Sequence, residues 1–91
     1  MASGDSKRLA AMRANPAGDW AIDDIAAVCR EYGLRCTPPP GGGSHWKVSH
    51  PSHRDILTML SRRPVKTIYV RKLIRMIDAV TGRQRDAENE A

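Results

Sequence analysis

The sequence contains no phenylalanine, and only 4% of its residues are aromatic. Any core must therefore rest on aliphatic side chains, with Trp20, Tyr32, Trp46 and Tyr69 as its few large members. Two cysteines, Cys29 and Cys36, are too few and too irregularly placed for a disulfide framework or a zinc site. No apolar run reaches the length of a secretory h-region or a membrane span, so a soluble cytoplasmic protein without a membrane partner is expected. There is no internal repeat. A chain of 91 residues suits one domain with one modest core and is too short for two.

What the chain does have is cationic charge, and it is segregated. The net charge is +5 overall. Residues 34–77 hold nine Lys or Arg against the single acid Asp55, a net of +8. Residues 19–33 carry Asp19, Asp23, Asp24 and Glu31 against Arg30, a net of −3. A basic face backed by an acidic one fits a polyanion partner, RNA in particular.

Taken in order, the pattern alternates between helical and extended periods. Asp5 or Ser6 is placed to cap a short helix through Ala14, with Leu9 and Met12 on one side. Its apolar stripe is thin, so it is expected to lean on the rest. Asn15-Pro16-Ala17-Gly18 reads as a turn, and Asp19 offers the next N-cap. Ile22, Ile25, Cys29 and Tyr32 then recur at helical spacing, with Gly33 as a left-handed stop and Leu34 folding back. Cys29 on that stripe reads as a buried, reduced thiol.

Residues 35–38 form a short strand candidate, ended by Pro38-Pro39-Pro40. From Ser44 the residues alternate, with Ser44, Trp46, Val48 and His50 on one face and His45, Lys47 and Ser49 on the other. Trp46 and Val48 are expected to pack on helices, which turns His45 and Lys47 outward and leaves His50 on the core side. Pro51-Ser52-His53-Arg54 reads as a turn and 55–61 as a third strand. Arg62-Arg63-Pro64-Val65-Lys66 is a basic loop, after which Thr67 caps a last helix over about residues 68–80. Val70, Leu73, Ile74 and Ile77 form its buried face, and Gly82 stops it. Residues 83–91 have no apolar period and read as a disordered tail.

The expected fold is α+β: helix, three-stranded antiparallel sheet, helix, preceded by an extra N-terminal helix. Residues 1–18 are the extension, 19–81 the domain and 82–91 the tail. Two amphipathic helices on one face of a sheet is also the arrangement of double-stranded-RNA-binding domains.

The stretch Gly41-Gly42-Gly43-Ser44-His45-Trp46-Lys47 is where chemistry concentrates. Glycines let a phosphate approach the main chain, so the amides of Gly42 and Gly43 are candidate phosphate donors. Ser44 is placed to orient the phosphate or the imidazole, and Lys47 supplies a cation. An imidazole, which ordinarily titrates near 6.5, suits proton transfer at neutral pH.

At Gly43-Ser44-His45 leading into a strand, and at Arg63-Pro64-Val65-Lys66 leading into Tyr69-Val70-Arg71-Lys72, the sequence resembles the HicA mRNA-interferase toxin family. The layout is similar over about residues 19–80: a helix ending in Tyr-Gly, a short strand, a Gly-Ser-His strand start, a third strand, a basic Pro-containing loop and a closing helix. The resemblance implies a double-stranded-RNA-binding-like fold and metal-independent, cofactor-free cleavage of mRNA by one histidine, which maps to His45. It also implies a HicB-like antitoxin that covers the site, within a toxin–antitoxin stress response. Where family members continue with a hydrophobic run, this chain has Trp46-Lys47-Val48, which sets Lys47 beside the site.

The alternative is a non-catalytic RNA-binding module. Arg62, Arg63, Lys66, Arg71, Lys72 and Arg75 would then supply phosphate and 2′-hydroxyl contacts to A-form RNA. Other readings fare worse. His50 and His53 across a proline turn are not a rigid metal-ligand pair. Ser44 and His45, adjacent on a strand, point to opposite faces and make no hydrolase dyad. A three-stranded sheet ahead of the basic last helix is no helix-turn-helix context.

Overall fold

The computed structural model describes residues 5–82. The expected disordered tail, residues 83–91, lies outside them. Three helices and three strands follow in the order α1 (Lys7–Ala14), α2 (Ile22–Tyr32), β1 (Arg35–Thr37), β2 (His45–His50), β3 (His53–Leu60) and α3 (Thr67–Thr81). The strands form one antiparallel meander in the order β1-β2-β3. The α+β class and its helix–sheet–helix order are as expected, with the extra helix in front. No helix among the described residues is long and apolar enough to cross a membrane.

Ser6 caps α1, its hydroxyl accepting the Leu9 N–H at 3.1 Å. Leu9 and Met12 are both fully buried and belong to the same core as Ile25, Val28 and Cys29 of α2, Val48 of β2, Met59 of β3 and Val70, Leu73 and Ile77 of α3. An eight-residue helix does not hold by itself, and polar ties reinforce this one. Arg13 donates to Asp78 at 2.9 Å and to Asp5 at 2.7 Å. The Ser6 N–H donates to the Tyr32 hydroxyl at 2.8 Å. Asp78 and then Asp5 hold the Arg13 guanidinium more firmly protonated than a free arginine.

Several boundaries differ from those expected, each for a local reason. Asp19 does not cap α2. Ala21 occupies the cap, and its N–H donates to the Asp24 carboxylate at 2.9 Å, so the acid three residues on closes the turn. Asp19 instead accepts from Arg63. Lys66 holds the cap of α3, and Thr67, the expected cap, is the first helical residue. Gly33 does end α2 with φ 76°, and the Leu34 N–H returns to the Cys29 carbonyl at 2.8 Å. β1 stops at Thr37, one residue early.

β3 begins at His53 rather than Asp55, because only Pro51 and Ser52 are needed to turn the chain. His53 and Arg54, expected in the turn, are strand residues. The pairing Val48↔Leu57 gives way to His50↔His53 through a bulge, which breaks the alternation and undoes the core-side placement of His50. On α3 Met76 is buried and Ile74 only half-buried, so the core stripe lies slightly to one side of the expected one.

The helices cover one face of the sheet. Cys36, Trp46, Val48, Leu57 and Met59 turn toward them. Arg35, Thr37, His45, Lys47, Thr58 and the 60%-exposed Ile56 belong to the opposite, open face. The Trp20 carbonyl accepts the Val65 N–H at 2.7 Å, which ties the segment before α2 to the loop before α3.

Candidate nucleic-acid interface

The glycine loop sets the geometry at the head of β2. Gly41, Gly42 and Gly43 have φ of 77, 89 and 124°. A Cβ at Gly41 or Gly42 would meet nothing within 4 Å, so backbone conformation alone requires glycine there. The Gly42 N–H donates to the Pro39 carbonyl at 3.3 Å, whereas those of Gly43 and Ser44 have no backbone partner among the described residues. Of the two expected phosphate donors, the Gly43 amide is left without a backbone partner, and the Gly42 amide is engaged in the turn. The Ser44 carbonyl accepts the Ser61 N–H at 2.7 Å, which anchors the loop exit against the end of β3.

His45 and Lys47 are exposed, as the burial of Trp46 and Val48 demands. His45 lies opposite Leu60, and Lys47 lies between Thr37 and Thr58. Two residue steps along the strand set them roughly 7 Å apart. The imidazole of His45 makes no hydrogen bond or ion pair among the described residues. Its two nitrogens are open to a ligand.

Arg62 and Arg63 leave β3 beside this end of the sheet. The Arg62 N–H turns back to the Leu60 carbonyl at 3.0 Å, and its side chain is exposed. Arg63 donates to Asp19 at 3.2 Å; that hydrogen bond and the acid's charge raise its pKa, so part of its charge is already answered. Lys66 is exposed at the N-terminal cap of α3.

The remaining predicted cations sit with the helical layer. Arg71 and Arg75 line a groove of about 450 Å³ with Arg13, Ile74 and Asp78 between α1 and α3. Lys72 and Arg75 line another of about 470 Å³ with His53, Asp55, Leu57 and Met76, between β3 and α3. His53 and Asp55 mark the end of β3 opposite Leu60, so this second groove opens at the end of the sheet away from His45. The fold gathers Gly43, Ser44, His45, Lys47 and Arg62 at one end of the open face and keeps Arg71, Lys72 and Arg75 apart from them.

Sequence reasoning missed a third grouping. Arg35, Ser49, His50, His53 and Arg54 surround a groove of about 300 Å³ at the β2–β3 turn. Arg35 and Arg54 contributed to the basic excess, but strand register and the bulge are what bring them together.

Cys29 and Cys36 are both free thiols. The hydrogen bond between them, reinforced by burial, pushes the Cys29 thiol up, and the same bond pulls the Cys36 thiol down. No group of three or more His, Cys, Asp or Glu is gathered to hold a metal ion among the described residues. No family model, curated protein or solved structure matches the chain.

Proposed function

We propose that this protein is a HicA-like toxin: a cytoplasmic, metal-independent endoribonuclease of double-stranded-RNA-binding-like fold that cleaves mRNA through His45 and is neutralised by a HicB-like antitoxin. The observation that carries the reading is the exposed, unpartnered imidazole of His45. It stands directly after two free backbone amides and on the same face as Lys47. The resemblance over residues 19–80 assigns the catalytic role to that histidine.

The chemistry needs no cofactor. His45 takes the proton of an RNA 2′-hydroxyl, whose oxygen attacks the adjacent phosphorus. The Gly43 and Ser44 amides and the Lys47 ammonium face the charge that gathers on the phosphate oxygens. The bond from phosphorus to the 5′ oxygen breaks, that oxygen takes a proton from water, and the products are a 2′,3′-cyclic phosphate and a 5′-hydroxyl. An exposed site makes water available for that last transfer.

Incubation of a long RNA with the pure protein in EDTA tests this. Cleavage with cyclic-phosphate ends is expected from wild type, and a loss of about 10²- to 10⁴-fold from His45→Ala. Equal cleavage by both proteins would refute the assignment. The second reading, a binding module, is favoured by one observation: nothing orients the His45 ring, whereas a catalytic base is commonly held by a partner. It predicts salt-sensitive RNA binding with no cleavage by either protein.

A further inference from the structure

We propose that the groove at the β2–β3 turn, walled by Arg35, His50, His53 and Arg54, is a phosphate subsite. On the RNA reading above, on which this rests for its biological ligand, it receives a backbone phosphate of the strand whose scissile bond lies at His45.

The first argument is charge. The groove holds about 300 Å³ and no carboxylate lines it. Three other arginines already have acids: Arg8 with Glu31, Arg13 with Asp5 and Asp78, and Arg63 with Asp19. Arg35 and Arg54 have none among the described residues, although they line the same small groove. Two unanswered guanidinium groups sharing one groove repel each other, and an anion between them relieves that repulsion. The planar guanidinium fork matches two phosphate oxygens at once, which favours phosphate over a halide-like ion.

The second argument is the fixed state of His50. Its Nδ1 accepts the Ser52 N–H at 3.0 Å. A backbone N–H can only donate, so a neutral His50 carries its proton on Nε2. The ring nitrogen left for a ligand is therefore a donor. Ser49 adds a hydroxyl to the same wall.

The third argument is position. Arg35 is the partner of Ser49, and Thr37 the partner of Lys47, so Arg35 and Lys47 share the open face. His50 lies five residue steps along β2 from His45, roughly 16 Å of strand. Lys47 lies between them. Donors thus run along one face from the Gly43 amide through His45 and Lys47 to Arg35 and Arg54. Such a line of donors is what a polynucleotide backbone crossing the sheet would meet.

The test uses the full chain carrying His45→Ala, so that RNA stays intact, observed by backbone amide NMR. A single-stranded RNA oligonucleotide and inorganic pyrophosphate are titrated separately. RNA is expected to move the signals of Arg35, Ser49, His50 and Arg54 together with those of Gly43 to Lys47. Pyrophosphate is expected to move the first group. Adding Arg35→Gln and Arg54→Gln should reduce the slope of log K against log salt for RNA by about 0.7, since the one phosphate left without its cations lowers it by that amount. Both side chains are exposed, so the fold survives their replacement.

RNA binding that leaves the turn signals still, or an unchanged salt slope in the double variant, overturns the subsite while the RNA reading stands. A response of the turn to pyrophosphate with none to RNA keeps the phosphate site and removes the RNA reading. Silence toward both probes overturns both.

Discussion

Leu9→Ala tests whether α1 belongs to the core or merely rests on it. Leu9 is fully buried in one cluster with residues of α2, β2, β3 and α3. Truncating such a leucine removes its transfer free energy and leaves a cavity, at a cost of about 2–5 kcal/mol. At about 0.05–0.15 kcal/mol per residue, the 78 described residues have roughly 4–12 kcal/mol of stability in all. The substitution therefore removes a large fraction.

A short helix has an escape, since α1 can undock instead of keeping a cavity. Undocking, however, also uncovers Met12 and breaks the bonds from Arg13 to Asp78 and from Ser6 to Tyr32. We expect a single transition shifted by about 3 kcal/mol, which at an m of about 1.5 kcal/mol/M lowers the urea midpoint by about 2 M. The two tryptophans separate the outcomes. Trp20 donates its indole N–H to the Asn15 carbonyl at the end of α1 at 2.8 Å, whereas Trp46 lies in β2. Fluorescence of the Trp20→Phe and Trp46→Phe backgrounds should report the same midpoint. If the Trp20 signal in Leu9→Ala moves at clearly lower urea than the Trp46 signal, α1 is an appendage and the core argument fails.

Gly42→Ala is expected to cost about 1–2 kcal/mol in thermal denaturation, because its φ of 89° penalises a Cβ although nothing crowds it; a neutral result would mean that the loop relaxes elsewhere. Alkylation by iodoacetamide should modify Cys36 first, with a rate that rises at a pH below that of an ordinary thiol. The sign follows from the Cys29 thiol donating to it and favouring its thiolate, which also raises Cys29. Peptide mass mapping that finds Cys29 modified ahead of Cys36 in the folded protein would contradict this.

The parts of the fold that were legible in the sequence are those set by local signals. Ser6 capping α1, the stripe Ile25 and Cys29, the Gly33 stop and the outward pair His45 and Lys47 all follow from spacing or from one residue's preference. Asp19 misled because two acids compete for one helix start, and Asp24 wins by reaching back inside the first turn. The β2–β3 turn misled because a run of polar residues says nothing about where pairing resumes. His50↔His53 is a cross-strand fact, created by a bulge that no two-residue period announces. The groove around Arg35 and Arg54 was invisible for the same reason, since nineteen positions of chain separate its two arginines.

Charge counting had the opposite weakness: it merged what the fold divides. The excess over residues 34–77 reads as one basic surface, yet α3 packs on the face of the sheet opposite to His45. Arg71, Lys72 and Arg75 open toward grooves shared with α1 and the far part of β3, where Asp78 and Asp55 also lie. The open face has fewer cations, but among the described residues no acid pairs with His45, Lys47, Arg35 or Arg54. On the proposed reading, an RNA held for reaction at His45 would gain most from that face, where none of these four side chains has an acidic partner among the described residues. On that reading, the cations of α3, which lie in the other layer, would strengthen attraction at a distance more than they would position a scissile phosphate. On that reading, placement of the reacting bond would depend on the glycine loop and β2, and the total of positive charge would matter less than which side of one thin sheet it occupies.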